Sequence, residues 1–211
     1  MCFITRQLLL ITIFLAFGCT HIPFKKDQAL TSENWQANGK VSVLVDKNIY
    51  PQAERSQQTL IFTWQQNNDN FLISLSGSFG LGKTLIRKQN GIVSIERGNK
   101  ILGRANDPER LLTDTTGLHL PIAGLRYWIL GLPATAIDLP LHTSASLGCN
   151  NANEAPCAIP DFLDQGWEIM IRSTQSVGAQ ILPRRLKASV EGISLNAVIN
   201  QWRQAPSAAA Q

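Results

Sequence analysis

The stretch Leu60-Ile61-Phe62-Thr63-Trp64-Gln65, followed by Asn67-Asn68-Asp69-Asn70 and then Phe71-Leu72-Ile73-Ser74-Leu75-Ser76, decides the fold. Large apolar residues recur at every second position on both sides of a turn-forming run of Asn and Asp. That period predicts two strands, each with one better-buried face, joined as a hairpin. Working outward, Val41, Val43 and Val45 keep the same period upstream. Downstream, Asn90-Gly91 is a hairpin signal between Thr84–Gln89 and Ile92–Arg97, and Gly98-Asn99 turns the chain into 100–104. Further strands are predicted at Trp167–Arg172, Arg185–Val190 and Ile193–Trp202, the last two joined by a tight turn at Glu191-Gly192. Sequential hairpins make an antiparallel sheet, and one of its faces must be covered.

The middle of the chain supplies a cover. Asp107-Pro108-Glu109 starts a helix, with Asp as N-cap, Pro in the first turn and an acid near the positive end of the dipole. Ile122, Leu125, Trp128 and Ile129 recur at helical spacing until Gly131 stops a second helix. The class is α+β, mainly β.

The chain has 211 residues, 44% hydrophobic and 16% charged, which suits one globular domain. Its net charge of +4 fits anionic lipid or an acidic partner better than nucleic acid. The start is a targeting segment: Arg6, an apolar run from Leu8 to Phe17 too short to span a bilayer, then Gly18-Cys19-Thr20. A Cys directly after a small residue resembles a bacterial lipoprotein signal, which implies cleavage before Cys19 and acylation of Cys19. An ordinary cleaved signal with a free thiol and an uncleaved anchor are the alternatives. Thr20, in place of an Asp, implies outer-membrane sorting. The expected division is a signal at 1–18, a lipidated tether at 19–34 with room for a short helix before Trp35, a single domain at 35–203 and a disordered tail at 204–211.

Gly77-Ser78-Phe79-Gly80-Leu81-Gly82-Lys83-Thr84 matches a phosphate-binding loop at every fixed position. That chemistry needs a helix after Thr84, and the residues there read as a strand, so no nucleotide is expected. Phe79 and Leu81 instead place apolar bulk among glycines in a connection between strands. They either insert into something apolar or fold back onto the sheet.

No catalytic constellation is legible. His21, His119 and His142 lie in tether, turn and coil, and Asp161 and Asp164 read as loop solvation. Trp35, Trp64, Trp128, Trp167 and Trp202 serve either as core or as the lining of an apolar cavity. Cys149 and Cys157 are expected to form a local disulfide; as zinc ligands they have only His142 nearby. No cofactor or metal is expected.

Several segments resemble the LolB family of outer-membrane lipoprotein receptors. They are Trp35-Gln36-Ala37-Asn38-Gly39-Lys40-Val41, Phe62-Thr63-Trp64-Gln65-Gln66, Gly77-Ser78-Phe79-Gly80, and Leu120-Pro121-Ile122 with Leu125, Trp128, Gly131 and Pro133. The resemblance implies an incomplete, half-open antiparallel β-barrel with a helical lid over an apolar cavity. It implies a monomeric non-enzyme that accepts client lipoproteins from a LolA-like periplasmic carrier. Their acyl chains would then enter outer-membrane phospholipid without nucleotide. Phe79 falls where the family carries an apolar residue at a protruding loop, and the Cys149–Cys157 segment has no counterpart. Alternation and helical phase nominate Trp64, Leu75 and Trp128 for the acyl-cavity lining. Two rival readings are a structural or assembly lipoprotein of the envelope without lipid cargo, and an envelope hydrolase.

Overall fold

The computed structural model describes residues 30–53, 56–77, 82–116, 120–135, 141–142 and 158–205. The signal segment, the tether as far as 29, the tail from 206, and Cys19, Phe79, Leu81, His119, Cys149 and Cys157 lie outside the described residues.

Ten strands form one sheet: β1 Asn34–Val45, β2 Gln57–Asn67, β3 Asn70–Ser76, β4 Thr84–Gln89, β5 Ile92–Arg97, β6 Lys100–Ala105, β7 Phe162–Asp164, β8 Trp167–Val177, β9 Gln180–Val190 and β10 Ile193–Arg203. Their order is β6-β5-β4-β3-β2-β1-β10-β9-β8-β7, and each neighbouring pair is antiparallel. The mainly β, antiparallel architecture is as expected. The sheet is open, with β6 and β7 as edges, and is not closed into a barrel.

The period-two pattern sets the register. Trp64 lies opposite Ala37 and Ile73, and Phe62 lies opposite Leu75. Ile73 continues the row to Ile86 and Ile95. A slip of one residue would turn this whole set toward water, so the register is strongly specified. Asn90 and Gly91 both take positive φ, at 52° and 80°, as a two-residue primed hairpin turn requires. Thr84 opens a strand and not a helix, which removes the geometry a phosphate loop needs.

Two short helices join the core on the same face: α1 Pro108–Thr116 and α2 Ile122–Trp128. Asp107 Oδ1 accepts the backbone N–H groups of Glu109 at 2.9 Å and Arg110 at 3.1 Å, capping α1. Leu111 packs so close to β6 that a Cβ on Gly103 would lie 2.7 Å from its Cδ1. Helix α2 ends in a Schellman turn. The Gly131 N–H donates to the Trp128 carbonyl at 2.9 Å and the Leu132 N–H to the Tyr127 carbonyl at 3.1 Å, with Gly131 at φ +78°.

The short helix expected in the tether before Trp35 falls largely outside the described residues; where the chain enters them, Leu30 is buried, and the Gln180 side-chain amide both donates to its carbonyl and accepts its N–H. Two features depart from the expectations. The three-residue strand β7 forms in a stretch that reads as loop, where no strand is expected. Strands β8 and β9 also run past their expected ends, and β9 includes Pro183. Pro183 is tolerated because the pairing of β9 with β10 starts only at Arg185. Gln175 Nε2 fills the gap, donating to the carbonyls of Pro183 at 3.3 Å and Ile199 at 3.1 Å. No helix among the described residues is long and apolar enough to cross a membrane.

Candidate functional site

The helix-bearing face carries two aromatic groups. Strands β1, β2, β3 and β10 bring together Trp35, Trp64, Phe71 and Trp202, with Trp35 at 5.4 Å from Trp64 and 5.5 Å from Trp202 between ring centroids. On the other side of the sheet order, Trp128 of α2 meets Trp167 of β8 at 5.7 Å. Tilted and edge contacts of this kind add about 0.5–1.5 kcal/mol per pair beyond the area they bury.

Buried indoles need acceptors for their N–H groups. Trp64 Nε1 donates to Gln66 Oε1 at 3.0 Å, and Gln66 in turn donates to the carbonyls of Asn68 and Asn70. Trp35 Nε1 donates to the Ser32 carbonyl at 3.2 Å. Trp202 Nε1 reaches the Pro183 carbonyl at 3.4 Å. Trp128 Nε1 donates to Asp164 Oδ2 at 2.6 Å, and the Ala134 N–H donates to the same oxygen at 2.8 Å. Asp164 is therefore not loop solvation, as its polar surroundings in the sequence suggested. It is a buried carboxylate on β7, stabilised by charge-assisted hydrogen bonds. Asp161 is exposed and accepts the Ile171 N–H at 2.7 Å.

Helix α2 has a second polar attachment. Arg126 Nη1 lies 4.0 Å from Asp69 Oδ1 at the β2–β3 turn, and its guanidinium sits 5.2 Å from the centroid of the Tyr127 ring. Asp69 also takes Lys88 Nζ at 2.8 Å. Arg126 Nε is buried without a partner among the described residues. The helix is thus held at one end of the strand order through Asp164 and nearer the other through Asp69. The Asp69 contact is long and solvent-facing, so the Asp164 bond is the stronger restraint.

Of the three nominated lining residues, Trp64 and Leu75 share the core-bearing face of adjacent strands. Trp128 belongs to the separate Trp167 group. Trp64 and Trp128 are buried and Leu75 is half-buried. A groove of about 510 Å³ lies elsewhere, at the ends of β1, β2, β9 and β10, where Val45, Ser56, Gln57, Val190 and Ile193 line it. None of Trp64, Leu75 and Trp128 faces it. His142 lies against the Gly131 carbonyl at 3.2 Å and serves the turn after α2. No group of three or more His, Cys, Asp or Glu placed to hold a metal occurs among the described residues.

Sequence reasoning missed Asp164 and Gln180 as structural anchors. The requirement that a buried Trp128 find an acceptor was a usable signal. Nothing in the sequence said that the acceptor would come from 36 residues downstream.

A family model described as "Outer membrane lipoprotein LolB" matches residues 33–202. The chain is 30% identical over 178 residues to the outer-membrane lipoprotein LolB of Francisella tularensis subsp. tularensis (strain WY96-3418), covering 82% of this chain and 76% of that protein. It is 28% identical over 202 residues to the protein of the same name from Chromohalobacter salexigens, covering 92% and 88%. Against the one from Pseudomonas savastanoi pv. phaseolicola it is 29% identical over 178 residues, covering 84% and 78%.

Proposed function

This chain belongs to the LolB family of outer-membrane lipoproteins, and from that premise we propose that it is a membrane-anchored receptor that takes lipoproteins from a soluble periplasmic carrier and passes them to the inner leaflet of the outer membrane. Cys19 carries the anchor in this reading, and the periplasm is where the domain works.

The observation that supports the transfer step is the apolar, tryptophan-rich face with two short helices over it. Helix α2 is held there by the burial of Ile122 and Trp128 and by one buried hydrogen bond, from Trp128 to Asp164. In this reading the helices are a lid, and an acyl chain enters where Trp64, Leu75 and Trp128 now pack. Exposing an acyl chain to water costs about 0.8 kcal/mol per CH₂. Handing it from one apolar interior to another avoids most of that cost. Direction then needs only rising affinity from carrier to receptor to bilayer, at about 1.4 kcal/mol for each tenfold step. No nucleotide hydrolysis enters this scheme. Phe79 and Leu81 supply the apolar tip that meets lipid at release, and Cys149 with Cys157 closes a surface loop.

The test is a nucleotide-free transfer assay. A carrier loaded with a labelled lipoprotein is mixed with this protein, and the label is expected to move onto it and then into liposomes. If the label stays on a competent carrier while this protein is folded, the alternative of a structural envelope lipoprotein with a packed core takes its place.

A further inference from the structure

The face of the sheet turned away from the helices carries an unbalanced positive charge. Register places Lys40, Arg87, Arg104, Arg185, Lys187 and Arg203 on it. Arg172 joins them by packing Nη2 2.9 Å from the sulfur of Met170, which lies opposite Lys187. The only acidic side chains that the strands place there are Glu96 and Glu168. That excess of five exceeds the +4 of the whole chain. Among the described residues, none of the seven cations has a carboxylate within 4.0 Å. Between them the face is mixed: polar Gln36, Asn38, Ser42, Thr59, Thr63 and Gln65 share it with the exposed apolar Ile61, Ile92 and Leu163. The cations are spread across the sheet and not gathered in a pocket.

A second observation concerns the ends of the sheet. The N-terminal segment enters the body at Leu30, which Gln180 holds beside the β8–β9 hairpin. The β3–β4 connection leaves from Ser76 at the opposite end, where the Gly98 N–H meets the Lys83 carbonyl. Gln180 is five residues along β9 from Arg185, whose row crosses Val198, Lys40 and Ile61 to reach Ser76. At the rise of a strand, the two points are separated by roughly 16 Å along the strands. Both approach one membrane plane most directly when the strands lie along it. One face of the sheet then meets the headgroups, and the other face is occupied by helices.

We propose that the basic outer face rests on anionic phospholipid headgroups, with the strands lying along the membrane and the helix-covered face turned toward the periplasm. This rests on the membrane-anchored reading above. It adds an orientation that points the cargo-handling side at an arriving carrier. The attraction is that of basic side chains for an anionic surface, and it is screened by salt.

The test uses the full anchored chain in vesicles of phosphatidylethanolamine with or without one part in about three of phosphatidylglycerol. In a background with Cys149 and Cys157 replaced by Ser, a fluorophore is attached through Thr63→Cys on the outer face or Arg110→Cys on α1, and a nitroxide on the lipid headgroup serves as quencher. Quenching at 63 is expected to be about fivefold that at 110 in anionic vesicles, and to fall toward equality in neutral vesicles or at high salt. The combined change Lys40→Glu, Arg104→Glu, Arg185→Glu and Arg203→Glu alters four exposed side chains and should abolish the difference. Equal quenching at the two sites in anionic vesicles would overturn the proposal, as would protection at 63 that needs added carrier. Acceptance of a labelled client is read in the same samples. Client uptake without the asymmetry fails the orientation alone, and the asymmetry without uptake fails the receptor reading alone.

Discussion

Trp128 and Asp164 are joined by a 2.6 Å hydrogen bond from the indole N–H of helix α2 to a buried carboxylate on β7. The same oxygen takes the Ala134 N–H at 2.8 Å. One side chain therefore fixes both the inner end of the helix and the chain leaving it. If α2 must move to admit an acyl chain, this is the bond that has to break, because the Arg126–Asp69 contact is long and solvent-facing.

Asp164→Ala leaves one buried and one part-buried donor without a partner and should cost about 2–3 kcal/mol in urea denaturation followed by tryptophan fluorescence. Asp164→Asn keeps an acceptor oxygen and should cost about 1 kcal/mol. With the helix released, the Ala variant should also take up a fluorescent fatty acid more readily than the parent. Unchanged stability in Asp164→Ala would show that the bond does not restrain the helix.

Gly131 and Gly166 have nearly the same backbone, at φ +78° and +80°, in different surroundings. A Cβ on Gly166 meets nothing within 4 Å, whereas on Gly131 it would lie 2.9 Å from Ile159 Cδ1 and 3.3 Å from Pro183 Cγ. Gly166→Ala should lose only the conformational cost, about 1–2 kcal/mol. Gly131→Ala should lose that and a further ~1–3 kcal/mol from overpacking under the end of α2. Equal urea midpoints for the two variants would contradict the packing shown at Gly131.

Gln180 anchors a segment 150 residues away through both peptide groups of Leu30. Gln180→Ala should leave that buried backbone unpaired and raise amide hydrogen exchange at Leu30 about tenfold or more, for a loss of at least ~1.4 kcal/mol of local stability. Exchange in β1 should hardly change, because β2 and β10 pair it on both sides. Unaltered exchange at Leu30 would mean that the clamp contributes nothing in solution.

The parts of this structure legible in the sequence are those where local chemistry decides. Asn90-Gly91 can hardly avoid its hairpin, Asp107 caps the helix it precedes, and Phe62, Trp64 and Ile73 declare their face by period alone. What stayed hidden depends on distant partners. The 173–176 segment, Ser-Thr-Gln-Ser, has no apolar alternation, and its strand exists because β9 lies beside it. Pro183 argues against a strand, and only Gln175 bridging Pro183 and Ile199 makes the break in pairing tolerable. Asp164 sits in a polar stretch that reads as loop, and its burial is set by Trp128 on another element. The basic outer face was hidden too, since its seven cations are spread over six strands and gathered only by register.

Phe79 tests the release step. It lies outside the described residues, in a connection whose described ends are Gly77 and Gly82, and Gly82 takes φ +68°. Burying a Phe side chain in lipid would supply about 1.5–3 kcal/mol, which biases docking without anchoring the protein. A carboxylate at that position would instead carry the cost of leaving water. Phe79→Glu should therefore accept a labelled lipoprotein from the carrier within about twofold of the parent, yet release it into liposomes about tenfold more slowly, as about 1.4 kcal/mol of lost bias requires. Phe79→Leu should release normally, because it stays apolar. Acceptance and release are read separately in one assay, from label bound to protein and label recovered with vesicles. Normal release by the Glu variant would assign the loop no part in membrane contact, and lost acceptance would move its role to the encounter with the carrier.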